Sequence, residues 1–233
     1  MRINLDGTRN VLEAARALPH IPKLVFTSSI ATYGGALPEV VTDATKQSPQ
    51  TSYGVAKAAG ELLVSDYSRK GFIDGRSLRL PTISVRTGLP NKAASTWASS
   101  IIREPLTGKD AICPVSRETR MACMSPRRII EAFIHAHDLP ADSFGAERSL
   151  LLSGISVTAG EMADAVARFK GNRKIGEILW QPDPEIQKIV NGWPKETKSG
   201  RAAALGFSRD SSVDDLVTAF IEDDLDDQIT TFG

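Results

Sequence analysis

Lys23-Leu-Val-Phe-Thr-Ser-Ser29 is a short apolar run that ends in three consecutive hydroxyl residues. Such a run reads as a buried strand whose carboxyl end opens into a loop. Upstream of it, Val11, Leu12, Ala15 and Leu18 stand at i, i+1, i+4 and i+7, the apolar stripe of a helix bounded by Pro19 and Pro22. Downstream, a polar loop punctuated by Gly34, Gly35, Pro38 and Pro49 leads into a second helical pattern. That pattern runs from Ser52 to Arg69, with Val55, Ala59, Leu62 and Leu63 on one face. Gly71 and Gly75 close it, and Arg76-Ser-Leu-Arg-Leu-Pro81 begins another strand. Helix, strand, helix, strand with short connections is the order of βαβ units and predicts a parallel sheet.

Beyond Pro81 the texture changes. Residues 86–128 hold eight basic side chains (Arg86, Lys92, Arg103, Lys109, Arg117, Arg120, Arg127, Arg128) against three acidic ones. Two readings stay open: a solvated surface, or a region that receives an anion such as a carboxylate or phosphate. Ser125-Pro126 has the form of an N-cap followed by proline at the first helical position, opening a helix through His135. Thr158 and Glu161 have capping-box spacing ahead of Met162, Val166 and Phe169. Asp183-Pro184 starts a further short helix, and the last helix carries Leu216, Phe220 and Ile221 before an acidic stretch expected to fray.

Composition narrows the function. The 233 residues are 41% hydrophobic and 24% charged, ordinary globular usage, which argues against extensive disorder. Lysine plus arginine number 28, and so do aspartate plus glutamate, which removes the electrostatic case for nucleic acid or an anionic membrane as partner. No apolar run reaches the length of a membrane span, and residues 1–8 lack the pattern of a signal peptide, so a cytoplasmic location is expected. Two cysteines, Cys113 and Cys123, argue against a disulfide framework, and neither they nor the three histidines have zinc-site spacing; no metal is expected.

Tyr53-Gly-Val-Ala-Lys57 carries the chemistry. The i, i+4 spacing sets a phenol and an ammonium one turn apart on one helix face. Bringing a free tyrosine, which titrates near 10, to half-ionisation near pH 7 takes roughly 4 kcal/mol of differential stabilisation. A neighbouring cation supplies part of it. Alone the spacing is a common surface pair. Its setting is not: the hydroxyl strand ends 24 residues upstream, at the kind of sheet edge where α/β ligands bind.

Thr27-Ser28-Ser29, Tyr33-Gly34 and Pro49-Gln-Thr-Ser52-Tyr53-Gly54 with Lys57 together resemble the extended short-chain dehydrogenase/reductase (NAD-dependent epimerase/dehydratase) family. The resemblance spans nearly the whole chain and includes Asn4-Leu-Asp-Gly-Thr-Arg-Asn10, which looks like the helix before the serine-bearing strand. Arg79-Leu-Pro-Thr-Ile-Ser-Val-Arg86, Ile102-Arg-Glu-Pro-Leu106, Cys113-Pro-Val115 and Ser125-Pro-Arg127 are similar to the D-erythronate dehydrogenase subgroup. So are the Trp180-x-Pro-Asp-Pro and Ala204-Leu-Gly-Phe207 stretches. Thr87, where that subgroup usually has proline, and Met121 and Ala122, where it carries bulkier side chains, depart from it.

The resemblance implies an NAD(P)-dependent oxidoreductase acting on a CH–OH group of a small hydroxy acid, with NAD favoured over NADP. It implies that Tyr53 is the general base, that Lys57 lowers the tyrosine's pKa and binds nicotinamide ribose, and that Ser29 orients the reacting oxygen. Asn4, Thr27, Ser28, Pro81, Thr82 and Ile83 would face the cofactor, and Arg86, Asn91, Ser95 and Arg103 the substrate. A homodimer through the tyrosine-bearing helix is also implied.

No G-x-G-x-x-G or G-x-x-G-x-x-G turn occurs in the 233 residues. Such a turn cradles the cofactor pyrophosphate at a helix N-terminus, and the stretch of βαβ units that would carry it is on the order of 70 residues or more. The expectation is therefore an N-terminally truncated Rossmann-like parallel sheet flanked by helices, with a small C-terminal α/β substrate lobe. Residues 1–90 would be the partial cofactor-binding domain, 91–222 mainly the substrate lobe with some return to the core, and 223–233 an acidic tail. Three functions fit: a sugar-acid dehydrogenase, an epimerase or ketone reductase of a specialised pathway, and a non-catalytic pseudoenzyme.

Overall fold

The computed structural model describes residues 2–91 and 93–232, which fall into two compact units. The first unit takes residues 1–81, 130–153 and 197–208, and the second takes 82–129, 154–196 and 209–233.

In the first unit, β1 (Lys23–Ser29) pairs along its whole length with β3 (Asp74–Leu80), Lys23 opposite Asp74 and Ser29 opposite Leu80. On its other side β3 pairs with β7 (Ser149–Leu151), and both pairings are parallel. Two helices lean on this sheet: α1 (Gly7–Arg16), which follows a π-helical turn over Arg2–Asp6, and α2 (Ser52–Arg69). The same unit holds a two-stranded parallel pair, β2 (Val41–Thr42) with β10 (Thr197–Lys198), and the short helix α7 (Gly200–Ala204). The alternation of a strand sorts the side chains of β3 between two faces. Gly75 and Arg79 meet α2, at Ser68 and Glu61. Arg76, fully buried, turns the other way and donates to the carbonyls of Ala136 and Leu139, near the end of a helix over Pro126–Asp138. A buried guanidinium is tolerable there because Asp74 neutralises it in an ion pair and it satisfies carbonyls near a helix terminus that would otherwise go unpaired.

The face of α2 that meets the sheet is not the one that its periodicity indicates. Gly54, Ala56, Gly60, Glu61 and Val64 are buried, while Val55 is 40% and Leu62 72% exposed. The cause is close approach. A Cβ on Gly60 would lie 2.5 Å from the Phe26 ring, and one on Gly54 would lie 2.0 Å from the carbonyl oxygen of Ala31. Small residues thus form the contact stripe, and the larger apolar ones turn outward. Likewise, of the stripe expected in the first helix only Leu12 is fully buried, against Val64 and Ile73; Val11 is exposed, and Leu18, also exposed, lies beyond the end of α1 at Arg16.

In the second unit, β4 (Thr82–Ile83) and β6 (Arg120–Met124) pair in parallel, and β6 pairs antiparallel with β8 (Ile155–Thr158). A second, two-stranded sheet joins β5 (Ala111–Cys113) to β9 (Ile178–Trp180). Around them lie α3 (Trp97–Leu106), α5 (Ala159–Phe169) and α8 (Val213–Asp223), whose Ile101, Ile102, Met162, Val166, Leu216 and Phe220 share one core. α4, the helix over Pro126–Asp138, starts at Ser125, whose hydroxyl accepts from the Arg128 N–H at 3.2 Å and donates to the buried Asp210 at 2.8 Å. The Thr158–Glu161 capping box forms, and the Asp183 side chain caps α6 (Pro184–Asn191).

The acidic C-terminal stretch does not fray. It turns at Asp224 into α9 (Leu225–Phe232), with Leu225 only 1% exposed and the Gln228 side-chain oxygen accepting from the Gly88 N–H at 2.7 Å. Arg127 neutralises Glu222 and Asp223, at 2.8 and 2.7 Å. A buried leucine and a paired guanidinium hold what charge repulsion alone would release. Leu225→Ala is accordingly expected to cost about 2–5 kcal/mol in urea unfolding, against within about 0.5 kcal/mol for a frayed end.

Candidate functional site

The carboxyl end of β1 and the first two turns of α2 converge in the first unit. Lys57 donates its Nζ to the Thr27 carbonyl oxygen at 2.7 Å. The same nitrogen lies 5.0 Å from the Phe26 ring centroid and 5.6 Å from that of Tyr53. Burial pushes the Lys57 ammonium below the usual lysine range. Tyr53 itself is 45% exposed, so its phenol is reachable from solvent. Ser29, half-buried, ends the strand and caps a short 3₁₀ turn over Ile30–Thr32 by accepting from the Ala31 N–H at 3.1 Å. The Ala31 carbonyl in turn rests against Gly54, the neighbour of Tyr53. The turn that Ser29 opens therefore packs on the residue beside the phenol.

The remaining candidates on the cofactor side are spread over two settings. Thr27 is exposed, and the Ser28 hydroxyl, buried, is bonded to the Glu61 carboxylate. Asn4 is half-buried in the opening π-helical turn, and its carbonyl accepts from Thr8 Oγ1 at 2.7 Å. Pro81 closes the first unit, and Thr82 and Ile83 form β4 of the second. Lys57, Thr27 and Tyr53 present donors and acceptors that fit the ribose hydroxyls of a nicotinamide cofactor.

On the substrate side, Arg86 is gripped through its backbone. Its N–H donates to Ser99 Oγ at 3.0 Å, and its carbonyl accepts from Arg103 Nη1 at 2.6 Å. Its guanidinium has no hydrogen-bond or ion-pair partner among the described residues. Arg103 is buried and engaged also with Ser100 and with Glu104, the latter at 2.6 Å. The Asn91 side-chain oxygen accepts from Ala93 N–H at 2.9 Å and Thr96 Oγ1 at 2.6 Å, and Ser95 is half-buried just before α3. Of the other basic side chains in 86–128, Arg117 pairs with Asp164, Arg127 with Glu222 and Asp223, and Lys109 reaches the Phe232 carbonyl. Lys92 lies outside the described residues. Much of the basic stretch thus serves to bind its own unit together.

One group had not been picked out from sequence. Glu61, two turns beyond Tyr53 on α2, accepts from Arg79 Nε at 3.0 and 2.8 Å and from Nη2 at 2.7 Å, from Gln47 Nε2 at 3.1 Å, and from Ser28. Arg79 Nη1 donates to the buried Tyr33 hydroxyl at 3.1 Å. Burial works against the Arg79 charge, yet the Glu61 bonds outweigh it and hold the guanidinium above its ordinary value. Burial likewise pushes the Tyr33 phenol up. The available signal was a carboxylate at i+4 from Lys57, flanked by buried Gly60 and Val64. Both cysteines are free and buried, burial raises both thiols, and among the described residues no three histidine, cysteine, aspartate or glutamate side chains gather as a metal site. No helix of the described residues is long and apolar enough to cross a membrane.

Comparison with known proteins identifies the family. Residues 1–142 match the NAD dependent epimerase/dehydratase family. The chain is 51% identical over 223 residues to D-erythronate dehydrogenase of Cupriavidus necator, covering 96% of this chain and 69% of the relative. It is 45% identical to D-erythronate dehydrogenase of Haemophilus influenzae, covering 95% and 70%. Among solved structures, the nucleoside-diphosphate-sugar epimerase from Agrobacterium tumefaciens superposes with a TM-score of 0.90 at 41% identity, over 97% of this chain and 67% of that one. The parallel sheet flanked by helices is thus of Rossmann type, and the chain belongs to the NAD-dependent epimerase/dehydratase family.

The Lys57 environment makes a pH-dependent prediction. Its folded-state pKa is depressed, so between that value and the ordinary one, about 10.4, the unfolded chain binds more protons and stability rises with pH. Lys57→Met removes this dependence. The stability of the parent relative to the variant is expected to improve as pH is raised from 7 to 10 in urea titrations, and a constant difference would contradict the burial.

Proposed function

We propose that this chain carries the catalytic end of an NAD(P)-dependent dehydrogenase that oxidises a hydroxyl of a sugar acid, with D-erythronate as substrate and NAD as coenzyme. The observation that carries the reading is Lys57, held on the Thr27 carbonyl and over the Tyr53 ring, in a chain 51% identical to a D-erythronate dehydrogenase. Tyr53 takes the substrate hydroxyl proton, and Ser29 hydrogen-bonds the same oxygen and aims it. Lys57 keeps positive charge beside the forming phenolate and offers hydrogen bonds to ribose. A bound nicotinamide supplies the hydride acceptor. Asn4, Thr27, Pro81, Thr82 and Ile83 would face it in this reading, while Ser28, its buried hydroxyl held by Glu61, would act only through the strand it anchors.

Arg86 receives the substrate carboxylate, a role supported by its guanidinium having no partner among the described residues, while Asn91, Ser95 and Arg103 shape the surrounding segment. Arg103 contributes by holding the Arg86 carbonyl. The likeness to a nucleoside-diphosphate-sugar epimerase favours a second reading, an epimerase acting on a nucleotide sugar. Screening four-carbon sugar acids against nucleotide sugars and simple ketones separates the two, with absorbance of reduced coenzyme as the readout for net oxidation or reduction and product chromatography for epimerisation, which leaves no net reduced coenzyme. D-Erythronate is expected to support turnover. Tyr53→Phe is expected to lower kcat by about 10²–10⁴-fold. Arg86→Gln is expected to raise KM for the acid about ten- to hundredfold through loss of a charge-assisted contact. Unchanged turnover in Tyr53→Phe rejects both enzymatic readings.

The homodimer belongs to the same proposal. Val55, Ala58, Ala59 and Leu62 form an i, i+3, i+4, i+7 stripe on α2 that is half or fully exposed, as a helix–helix interface requires. Leu62→Glu is expected to shift the protein from dimer to monomer in light scattering after gel filtration; a parent that runs as a monomer overturns it.

A further inference from the structure

We infer that Glu61 and Arg79 are positioning residues that set where Lys57, and with it Tyr53, stands against the carboxyl end of β1. The inference rests on the reading of Ser29, Tyr53 and Lys57 as catalytic. Tyr53, Lys57 and Glu61 follow one another at intervals of four along α2, so they share one side of the helix. Glu61 reaches the sheet at Ser28, which lies between Thr27, whose carbonyl accepts from Lys57, and Ser29. One buried carboxylate therefore fixes the strand residue that both candidate catalytic contacts flank.

The rest of the network makes this a clamp. Arg79 on β3 grips both Glu61 oxygens, and Gln47 and Tyr33 bring in the loop between β1 and α2. Each nitrogen of the Arg79 guanidinium and each Glu61 oxygen has a partner. The Arg103–Glu104 pair of the second unit, by contrast, leaves Nε of Arg103 and one Glu104 oxygen unpaired among the described residues. An ion pair so placed is seldom the cheapest way to fill a core, since well-packed apolar side chains of like volume stabilise as well or better. What it adds is direction: a fork of fixed geometry that admits one setting of α2 along β1.

The test follows Lys57 itself. Lysine labelled with ¹³C at Cε is titrated by NMR in the purified full chain, the Lys57 signal being assigned by its absence in Lys57→Met. Glu61→Gln and the double variant Glu61→Met/Arg79→Met are compared with the parent, alongside urea unfolding and D-erythronate oxidation. Release of Lys57 from the Thr27 carbonyl into solvent moves its titration up, toward the ordinary lysine value. Mere loss of a nearby negative charge would move it down or leave it in place. The expected result is an upward shift in both variants, a folded double variant, and kcat lowered at least tenfold with KM within twofold of the parent. An unmoved or lowered Lys57 titration, or an unchanged kcat, would overturn the inference. So would loss of folding in both variants, which would make the pair purely structural. A parent-like turnover in Tyr53→Phe rejects the catalytic reading separately, because the Lys57 titration does not depend on it.

Discussion

The close approach of α2 to β1 is the constraint on which the first unit depends. Two glycines permit it: Gly60 against the Phe26 ring and Gly54 against the Ala31 carbonyl. Without side chains there, the helix axis comes near enough for Lys57 to reach a strand carbonyl and for Glu61 to reach a strand hydroxyl. Any Cβ at Gly54 would fall inside the radius of a backbone oxygen, and backbone has little freedom to move aside. The small residues on this face do not fill a core. They give up apolar area so that polar groups can meet at short range.

That trade explains why the face assignment from periodicity inverted. Val55 and Leu62 read as core from sequence, since large apolar side chains usually point inward. Here they are displaced to the surface because the inward stripe is reserved for Gly54, Ala56, Gly60 and Val64, with Glu61 among them. The strands, by contrast, were readable. Lys23–Ser29 and the run into Leu80 announce themselves by apolar content and flanking loop residues, and the caps at Ser125, Thr158 and Asp183 by local chemistry that needs no tertiary knowledge. The helical C-terminus was not readable, because its stability comes from Arg127 and Gly88, far away in the chain.

Charge tells the same story in the second unit. A count of basic residues over 86–128 suggests a field turned outward, but Arg103, Arg117, Arg127 and Lys109 spend their charge on internal partners. Arg86 differs in that its backbone is fixed at both N–H and carbonyl while its guanidinium is unengaged among the described residues. Anchored backbone with an uncommitted charged head is the arrangement suited to a ligand, since the side chain then loses little further freedom on binding. Counting charges could not separate the engaged side chains from the free ones; hydrogen-bond partners leave Arg86 and the exposed Arg120, paired through its backbone with Thr158, as side chains without a partner among the described residues.

Polar contacts among the described residues thus divide into those that build and those that position. Arg76 on the end of α4 and Asp210 at its start build; Lys57 on Thr27 and Glu61 on Ser28 fix α2 against β1 and, in the proposed function, would set the geometry of its reaction centre. In the proposed reaction hydride leaves a sugar acid at this centre. This step is tested most directly by incubating the purified protein with oxidised NAD and D-erythronate deuterated at the carbon bearing the hydroxyl next to the carboxylate, then examining the reduced coenzyme by mass spectrometry. Reduced coenzyme carrying one deuterium per turnover is expected; reduced coenzyme without the label, or none at all, would rule out hydride transfer from that carbon.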